Sequence, residues 1–272
     1  MSEKISTIVV KLGGTQGLDF AGICQDAATL LAQGQRLVLV HGGSAEANDL
    51  GEALGHPPRF ITSPSGYNSR YTDLRTLEIF CMAVNGKINT LLVSQLQALG
   101  VNALGLSGPD GALITASRKQ AIQSVENRRR KLIRDDYSGK IDGVNSSLLY
   151  LLLEAGYTPV IAPLALSPAG EVLNVDADRA AAWMAASLQS QALVLLTAAP
   201  GLLRVFPDES SLIRSLPQAQ LDQALEYAQG RMKKKVLGAK EALQGCQKVI
   251  IADGRQPAPI GRALAGEGTV IA

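Results

Sequence analysis

Short apolar runs recur along the chain and predict buried strands. Most are four to six residues long, rich in Val, Ile, Leu or Ala, and followed by glycine, charged or turn-forming residues. Runs of this kind are typical of parallel strands that are covered on both faces. They predict strands at 6–10, 36–40, 103–106, 112–116, 158–162, 192–197 and 248–251, and a terminal edge strand at 269–271.

Helical periodicity occupies most of the segments between these runs. The predicted helices span 20–32, 45–54, 72–99, 145–155, 175–188 and 232–243. The helix at 175–188 is rich in alanine, so we expect it to pack closely against its neighbours. Between Ile122 and Gly143 the hydrophobic period weakens and charge dominates, which predicts hairpins or loops there.

The alternation of strands and helices over the full length predicts an α/β fold. We expect a three-layer αβα sandwich around a mainly parallel central sheet. A chain of 272 residues is long enough for one large domain or two closely joined lobes. Since the sequence contains no internal repeat and no obvious linker, we interpret residues 1–272 as a single domain. Its lobes would meet in the loop-rich middle or near residues 165–171.

Composition agrees with this fold and excludes other classes of protein. The hydrophobic fraction is 46% and the charged fraction is 18%, which excludes a disordered chain. Aromatic residues make up only 4%, so the core must be mostly aliphatic. The three cysteines, Cys24, Cys81 and Cys246, are far apart and form no zinc-binding or disulfide pattern, which favours a reducing compartment.

Neither an export signal nor a membrane segment is predicted. The first apolar run is too short for a signal peptide. No run approaches the roughly 18 apolar residues that would span a bilayer. We therefore expect a soluble cytoplasmic protein. Since no carboxylate cluster suits a metal ion, we also expect no metal site built by side chains alone.

Two of the predicted strands end in glycine pairs. The first runs into Lys11-Leu12-Gly13-Gly14 and the second into His41-Gly42-Gly43-Ser44. Ligands of open α/β sheets bind at the carboxyl ends of the strands. Glycine there lets backbone N–H groups approach phosphate oxygens, and a following helix N-terminus favours an anion. The two turns predict a phosphate site, although the sequence has neither a P-loop nor a GxGxxG fingerprint.

Charged residues open two helices in the second half of the chain. The segment Asn174 to Arg179 opens the alanine-rich helix, where Asp178 could serve only as a helix-capping carboxylate. The segment Gly230-Arg231-Met232-Lys233-Lys234-Lys235 puts positive charge at a helix start, which costs up to about 1 kcal/mol per charge. This unfavourable charge predicts an anionic ligand at the second helix start.

Residues 125–145 concentrate positive charge in a chain whose formal net charge is only +2. The cluster consists of Arg128, Arg129, Arg130, Lys131, Arg134 and Lys140. It could be a solvated loop or a docking surface for an acidic partner. Nucleic acid fits poorly, because the cluster has no interleaved aromatic residues and the pI is a modest 8.4.

Taken in order, these motifs resemble the amino acid kinase family over essentially the whole chain. The resemblance is carried by Lys11-Leu12-Gly13-Gly14, His41-Gly42-Gly43, Arg70, Asn174 to Asp178, and Gly230-Arg231-Met232-Lys233-Lys234-Lys235. Within the family, the segments 69–73, 105–111 and above all 132–141 look most like kinases that act on aminoadipate or glutamate attached to an amino-group carrier protein. Ser44 is a departure, because acetylglutamate kinases usually carry glycine there, and either its Oγ or its backbone N–H could face the substrate.

The resemblance implies transfer of the ATP γ-phosphoryl group to a side-chain carboxylate, which gives an acyl phosphate. It implies that Lys11 and Lys235 lie on opposite sides of the γ-phosphate and that Asp178 holds both ammonium groups. The implied phosphate ligands are the N–H groups of Gly13, Gly14, Gly42 and Gly43, and the implied substrate ligands are Gly42, Gly43, Ser44, Arg70 and Asn174. Mg²⁺ would be held mainly by ATP oxygens and water.

The resemblance also implies the partners and the division of the chain. A small acidic carrier protein of the LysW type would dock on the basic cluster beside the substrate mouth. The lobe of residues 1–165, approximately, would bind the amino acid, and the lobe of residues 166–272, approximately, would bind ATP. A homodimer with a sheet that continues across the interface is expected. The implied pathway is lysine or arginine biosynthesis.

Several alternatives stay open at this point. The carried amino acid could be aminoadipate or glutamate. The chain could phosphorylate free N-acetylglutamate instead, or it could be a silent regulatory module that binds ATP or an amino acid. His41 could be a site residue or could only stabilise its turn, and Lys233 and Lys234 could be solvated or lie near ATP phosphates.

Overall fold

The computed structural model describes residues 6–13, 18–64, 68–126 and 129–272, without the side chains of residues 125, 126, 129 and 231. A central sheet of eight strands carries helices on both faces. In spatial order its strands are β14 (Ser215–Leu216), β16 (Thr269–Ile271), β15 (Val249–Asp253), β13 (Ala192–Thr197), β1 (Thr7–Leu12), β2 (Arg36–His41), β10 (Thr158–Ala162) and β5 (Ala103–Ser107). Among these described strands every pairing is parallel except β15 with β16.

Three smaller sheets accompany the central sheet. A four-stranded sheet has the order β12 (Val172–Asn174), β11 (Leu164–Leu166), β6 (Ile114–Arg118) and β9 (Gly139–Val144). Two hairpins pair β3 (Phe60–Thr62) with β4 (Asn68–Arg70), and β7 (Ile122–Glu126) with β8 (Arg129–Ile133). The predicted hairpins of the charged middle are therefore confirmed.

The described helices cover both faces of the central sheet. They are α1 (Phe20–Ala32), α2 (Ser44–Ala53), α3 (Leu74–Cys81), α4 (Thr90–Ala98), α5 (Ser146–Glu154), α6 (Ala177–Ser187), α7 (Leu221–Tyr227), α8 (Gly230–Ala242) and α9 (Pro259–Leu264). One face packs against α1, α4 and α9, and the other against α5, α6, α7 and α8. The predicted αβα sandwich around a mainly parallel sheet is confirmed.

The helix predicted at 72–99 is interrupted by a π-helical segment, Met82–Asn89, between α3 and α4. A π-helical turn holds one extra residue, but the segments on either side keep the apolar spacing of an α-helix. The sequence pattern therefore does not reveal the π-helical segment. By length and composition alone, the stretch Leu74–Ala98 could cross a membrane. Half of its most apolar window is buried inside the protein, and buried core helices pass the same test.

The expectation of an edge strand at 269–271 is wrong, because β14 pairs outside β16. With only two residues, β14 is too short to produce an alternating pattern. The structure also has three short strands, β3, β4 and β11, and two short helices, α7 and α9, that periodicity did not predict.

Candidate active site

A pocket of about 610 Å³ opens at the carboxyl ends of β1 and β2. Its described lining includes Lys11, Gly13, Gly42, Gly43, Ser44, Arg70, Asn174, Asp178 and Lys235. These residues come from both halves of the chain, and the fold brings them to one site. Gly14 lies outside the described residues.

Lys11 is on the face of β1 that α6 covers. Side chains alternate along a strand, so Lys11 shares the face of Val9, which packs in the core beneath α6, and opposes Val10. The ammonium of Lys11 lies 2.8 Å from Asp178 Oδ1, and the residue is 6% exposed. The ammonium of Lys11, on the buried strand β1, therefore faces the first turn of α6.

Asp178 is in the first turn of α6 but does not cap it. The cap is Asp176, whose Oδ1 accepts hydrogen bonds from the N–H groups of Asp178 and Arg179. The carboxylate of Asp178 is directed instead to two ammonium groups. The interpretation of Asp178 as a capping residue alone is therefore not supported.

Lys235 reaches the same carboxylate from α8. Its ammonium lies 3.0 Å from each carboxylate oxygen of Asp178, and the residue is 5% exposed. The two helices approach closely where Gly238 of α8 faces the backbone of Asp178. Lys11 and Lys235 thus converge on one buried carboxylate inside one pocket.

With both lysines protonated, Lys11, Asp178 and Lys235 together carry a net charge of +1. Burial alone would raise the pKa of Asp178, but Lys11 and then Lys235 hold it well below its usual range. Burial lowers the pKa of Lys235 to about 8, with Lys11 adding to this effect and Asp178 opposing it. An anion placed between the ammonium groups would stabilise both in their charged form.

The unfavourable charge at the start of α8 is partly compensated within the protein. Besides the Lys235–Asp178 pair, Lys234 Nζ lies 3.4 Å from Asp176 Oδ2. The described pocket lining nevertheless contains seven lysine and arginine residues against two aspartates. This excess suits a polyanionic ligand.

The two glycine turns lie side by side. The N–H of Gly42 donates to the carbonyl of Leu12 at 3.0 Å, so it is not available to a phosphate oxygen in this arrangement. Gly43 precedes the first turn of α2, and a Cβ there would lie 2.6 Å from Val84 Cγ1 and 2.9 Å from Ile88 Cδ1. The π-helical segment therefore packs directly against the turn, and Gly43 is required for that approach.

His41 supports this turn and does not line the pocket. Its Nδ1 lies 2.9 Å from the carbonyl oxygen of Gly42, and its Nε2 lies 3.1 Å from Asn89 Nδ2, which also donates to Val160 O. Burial lowers the pKa of His41 to about 4; the Gly42 hydrogen bond opposes this shift and Lys11 adds to it. The imidazole is therefore neutral near pH 7, with Nδ1–H as donor to Gly42, and its role is to stabilise the turn.

Arg70 also lines the pocket and is 9% exposed. Its Nη2 donates to the carbonyl and the Oγ of Ser44 and to Asn48 Oδ1, at 3.0, 3.1 and 2.5 Å. Its guanidinium also lies 5.3 Å from the Phe60 ring centroid. The Oγ of Ser44 thus orients Arg70, and burial lowers the pKa of this guanidinium.

A network behind the pocket joins Arg70 to Asn174. Asn174 Nδ2 donates to Thr72 Oγ1 at 3.1 Å, and the buried carboxylate of Asp136 accepts from the N–H groups of Thr72 and Ser138. The segment 134–138, which follows the basic hairpin, therefore fixes the backbone beside Arg70. Sequence reasoning singled out this segment but assigned no role to Thr72.

The members of the basic cluster that the structure describes are exposed. These are the side chains of Arg130, Lys131, Arg134 and Lys140, on β8, after β8 and on β9. None of these four lines the main pocket, although Lys140 lies between the lining residues Gly139 and Ile141. Arg128 and the side chain of Arg129 lie outside the described residues.

Lys119 is a lining residue that sequence reasoning missed. It is a single lysine just after β6, with no motif to distinguish it from other surface lysines. Asn89 was missed for a similar reason, because an isolated asparagine in an apolar helix gives no signal.

Metal ligands are scarce around the pocket. Within the described ranges, no group of three or more His, Cys, Asp or Glu side chains could hold a metal ion. The carboxylate of Asp178 is already paired with two lysines. This lining suits phosphate oxygens better than a divalent cation bound by protein alone.

Comparison with known proteins places these observations in a family. The sequence pattern of the amino acid kinase family matches residues 6–253. The chain is 54% identical over 268 residues to a protein named LysW-aminoadipate kinase from Deinococcus radiodurans, covering 98% of this chain and 92% of that one. It is 51% identical over 267 residues to a protein of the same name from Thermus thermophilus, covering 97% and 99% of the two chains.

A solved structure has the same fold. It is an N-acetylglutamate synthase from Neisseria gonorrhoeae complexed with coenzyme A and N-acetyl-glutamate, with a TM-score of 0.79 and 27% sequence identity. The match covers 98% of this chain but only 59% of that longer chain. From the family pattern, the two relatives and the shared fold, we conclude that this chain belongs to the amino acid kinase family.

Proposed function

We propose that this chain transfers the γ-phosphoryl group of ATP to the side-chain carboxylate of aminoadipate attached to a LysW-type amino-group carrier protein. The observation that carries the proposal is the convergence of Lys11 and Lys235 on Asp178 inside one strongly positive pocket. The names of the two relatives, each above 50% identity over nearly the whole chain, supply the acceptor. The product would enter lysine biosynthesis.

The reaction needs no general base. A carboxylate with a reference pKa of about 4.3 is already ionised at neutral pH. One of its oxygens attacks the γ-phosphorus and forms the new O–P bond, while the bond from that phosphorus to the bridging oxygen breaks and ADP leaves with the electron pair. No proton moves, so the task of the protein is positioning and charge stabilisation.

Lys11 and Lys235 would supply that stabilisation. Their surplus positive charge would be matched by the charge that develops on the transferring group, and Asp178 would keep the two ammonium groups in place. The N–H groups of Gly13 and Gly43 are the remaining described candidates for phosphate contacts. Gly42 would contribute by holding the two turns together, and a role for Gly14 stays a prediction.

Arg70, Ser44 and Asn174 would bind the other polar end of the acceptor. Arg70 is held by Ser44 and Asn48 near the pocket and would bind the α-carboxylate of the amino acid. Asn174 is oriented by Thr72 and would accept or donate to the amide that links the amino acid to the carrier. These roles account for one buried polar residue, Arg70, and two half-buried ones, Ser44 and Asn174, in the pocket lining.

ATP is the second substrate in this proposal. The positive lining at the start of α8 fits its phosphates, and Mg²⁺ would be held by phosphate oxygens and water rather than by Asp178. When bound, the ion would draw charge from the phosphates. We propose that residues up to about 165 chiefly bind the amino acid and that residues from about 166 onward chiefly bind ATP.

The exposed basic cluster would dock the carrier. Leu132, which is 48% exposed, lies in the sequence between Arg130 and Lys131 of β8 and Arg134 just after that strand. An apolar residue within a basic surface suits an acidic protein that also buries some apolar area. The cluster would orient the carrier so that its attached amino acid enters the pocket.

A homodimer in the cytoplasm completes the proposal. Strand β5 ends the described central sheet, and an unpaired edge strand is a ready template for pairing with another chain. Leu91, Leu99, Leu151 and Tyr157, on or beside the helices that flank it, are all exposed. Pairing of two copies through β5 would cover these side chains.

The test is a direct assay of the purified protein. Carrier–aminoadipate, carrier–glutamate and free N-acetylglutamate would each be incubated with ATP and Mg²⁺, and the acyl phosphate trapped with hydroxylamine. We expect hydroxamate on carrier–aminoadipate at a rate at least tenfold above that on free N-acetylglutamate. Turnover of the free acid alone would support the acetylglutamate alternative, and no ATP consumption with any acceptor would support a silent regulatory module.

A further inference from the structure

Lys119 is a charged residue of the pocket wall that has no role in the proposed transfer. It follows β6 and lines the same pocket as Lys11 and Asn174. Its backbone N–H donates to the carbonyl of Ser138, which fixes its position beside β9. The side chain is exposed at the rim, yet burial of part of it lowers the pKa of the ammonium.

The other charged groups that act on this ammonium already have partners. Asp136 accepts from two backbone N–H groups, Arg179 pairs with Glu241, and Lys234 pairs with Asp176. Within the described part of the chain, the ammonium of Lys119 makes no hydrogen bond and no ion pair. A lysine held at a pocket rim without a counter-ion is available to an anionic ligand.

The position of Lys119 along the chain indicates which ligand this is. Three residues after it the chain enters β7, the first strand of the hairpin whose second strand carries Arg130 and Lys131. Lys119 therefore stands where the basic cluster meets the pocket. An acceptor that docks on the cluster and extends into the pocket must pass this ammonium.

From this placement we infer that Lys119 binds a carboxylate of the carrier protein itself, close to the point where the amino acid is attached. The inference rests on the proposed function and adds a specificity determinant to it. Lys119 would distinguish a carrier-linked acceptor from a free N-acylated amino acid, which has no third carboxylate. It would not contact the transferring phosphoryl group.

The test compares Lys119→Met with wild type on two conjugates. One is the carrier–aminoadipate conjugate, and the other is the same conjugate with the carrier carboxylates nearest the attachment point converted to amides. We expect Lys119→Met to lower kcat/KM for the first conjugate about tenfold, the size of one charge-assisted hydrogen bond. On the amidated conjugate the substitution should have no effect, and the KM for ATP should not change.

Two further variants separate a contact from a general effect. Lys119→Arg keeps the charge and should retain most of the activity. Lys240→Met removes a lysine from the far end of α8, where it pairs with Asp222, and should leave kcat/KM unchanged. Equal losses on both conjugates, or a raised KM for ATP, would overturn the inference while leaving the proposed function intact. If wild type phosphorylated neither conjugate, the proposed function and this inference would both fail.

Discussion

The ammonium of Lys235 lies 3.0 Å from both carboxylate oxygens of Asp178, inside a pocket that almost excludes water from either group. A lysine in this position is charged only as long as its environment favours the ammonium. If the proposed function holds, the protonation state of Lys235 is a determinant of activity.

Activity should therefore fall with rising pH above about 8, the pKa to which burial lowers Lys235. Once the ammonium loses its proton, it could no longer provide the charge stabilisation that the proposed function assigns to it. The kcat/KM for ATP should drop about tenfold per pH unit beyond that point, as measured by coupled assay between pH 6 and 10. Lys235→Arg, which stays charged, should be slower but show no alkaline decline. A flat wild-type profile up to pH 9.5 would contradict this assignment.

The free energy of unfolding of the ligand-free protein should rise between about pH 8 and pH 10.5, where the activity falls. Because the folded pKa of Lys235 is about 8 and the unfolded value is about 10.5, burial of the ammonium costs stability below pH 8. That cost diminishes as the pH rises from 8 to 10.5. In denaturant unfolding, the stability of Lys235→Met should lack the pH dependence that comes from this ammonium. The difference in the free energy of unfolding between Lys235→Met and wild type should therefore narrow from pH 8 to pH 10.5.

Asp178→Asn should impair both catalysis and folding. Two buried ammonium groups would lose their shared counter-ion, and removing one partner of a buried ion pair typically costs about 3–5 kcal/mol. We expect kcat to fall about 100-fold and the free energy of unfolding to fall by about 3 kcal/mol at pH 7. Asp176→Asn is the matched control, because asparagine caps a helix about as well as aspartate. Equal effects of the two substitutions would show that the carboxylate of Asp178 has no special role.

Gly43→Ala should distort the second glycine turn. The added methyl would lie 2.6 Å from Val84 Cγ1, so the turn or the π-helical segment must move. We expect kcat to fall about tenfold, because a small displacement at the transfer site is costly. The double variant Gly43→Ala/Val84→Ala removes the nearer of the two clashing atoms, leaving Ile88 Cδ1 at 2.9 Å, and should recover part of that loss, although Val84→Ala alone should be less stable than wild type. No recovery in the double variant would mean that Gly43 is needed for another reason.

Charge reversal on the basic cluster should weaken binding of the carrier conjugate and leave ATP binding unchanged. Arg130→Glu combined with Arg134→Glu should raise the KM for carrier–aminoadipate at least tenfold and weaken its dependence on salt, because steering by opposite charge is lost. The KM for ATP should stay the same. Lys240→Glu, a reversal far from the cluster, is the control. Unchanged turnover of the conjugate would show that the cluster is a solvated surface and does not dock the carrier.

Much of the fold could be predicted from the sequence because its signals are local. The apolar runs of β1, β2, β10 and β13 are long enough to identify, and the glycine pairs fix where two of them end. β14 could not be predicted, since two residues carry no period, and its absence made β16 seem to be an edge strand. The π-helical segment was hidden because its flanks keep a helical spacing.

The same distinction holds for the site. Lys11 and Lys235 stand out through their neighbours in the sequence, a glycine pair and an unfavourable helix start. Lys119 and Asn89 have no such neighbours, and only the folded chain places one on the pocket rim and the other against His41. The engagement of the Gly42 N–H by Leu12 likewise depends on strand pairing that no motif encodes.

The π-helical segment Met82–Asn89 also constrains how the chain can change in length. A π-helical turn holds one residue more than an α-helical turn, so the loss of one residue there could leave α3 and α4 as one regular α-helix. The same loss would displace Val84 and Ile88 from Gly43 and Asn89 from His41, because these contacts are made by the π-helical residues themselves. We expect the number of residues between Cys81 and Thr90 to be preserved more strictly among relatives than their identities.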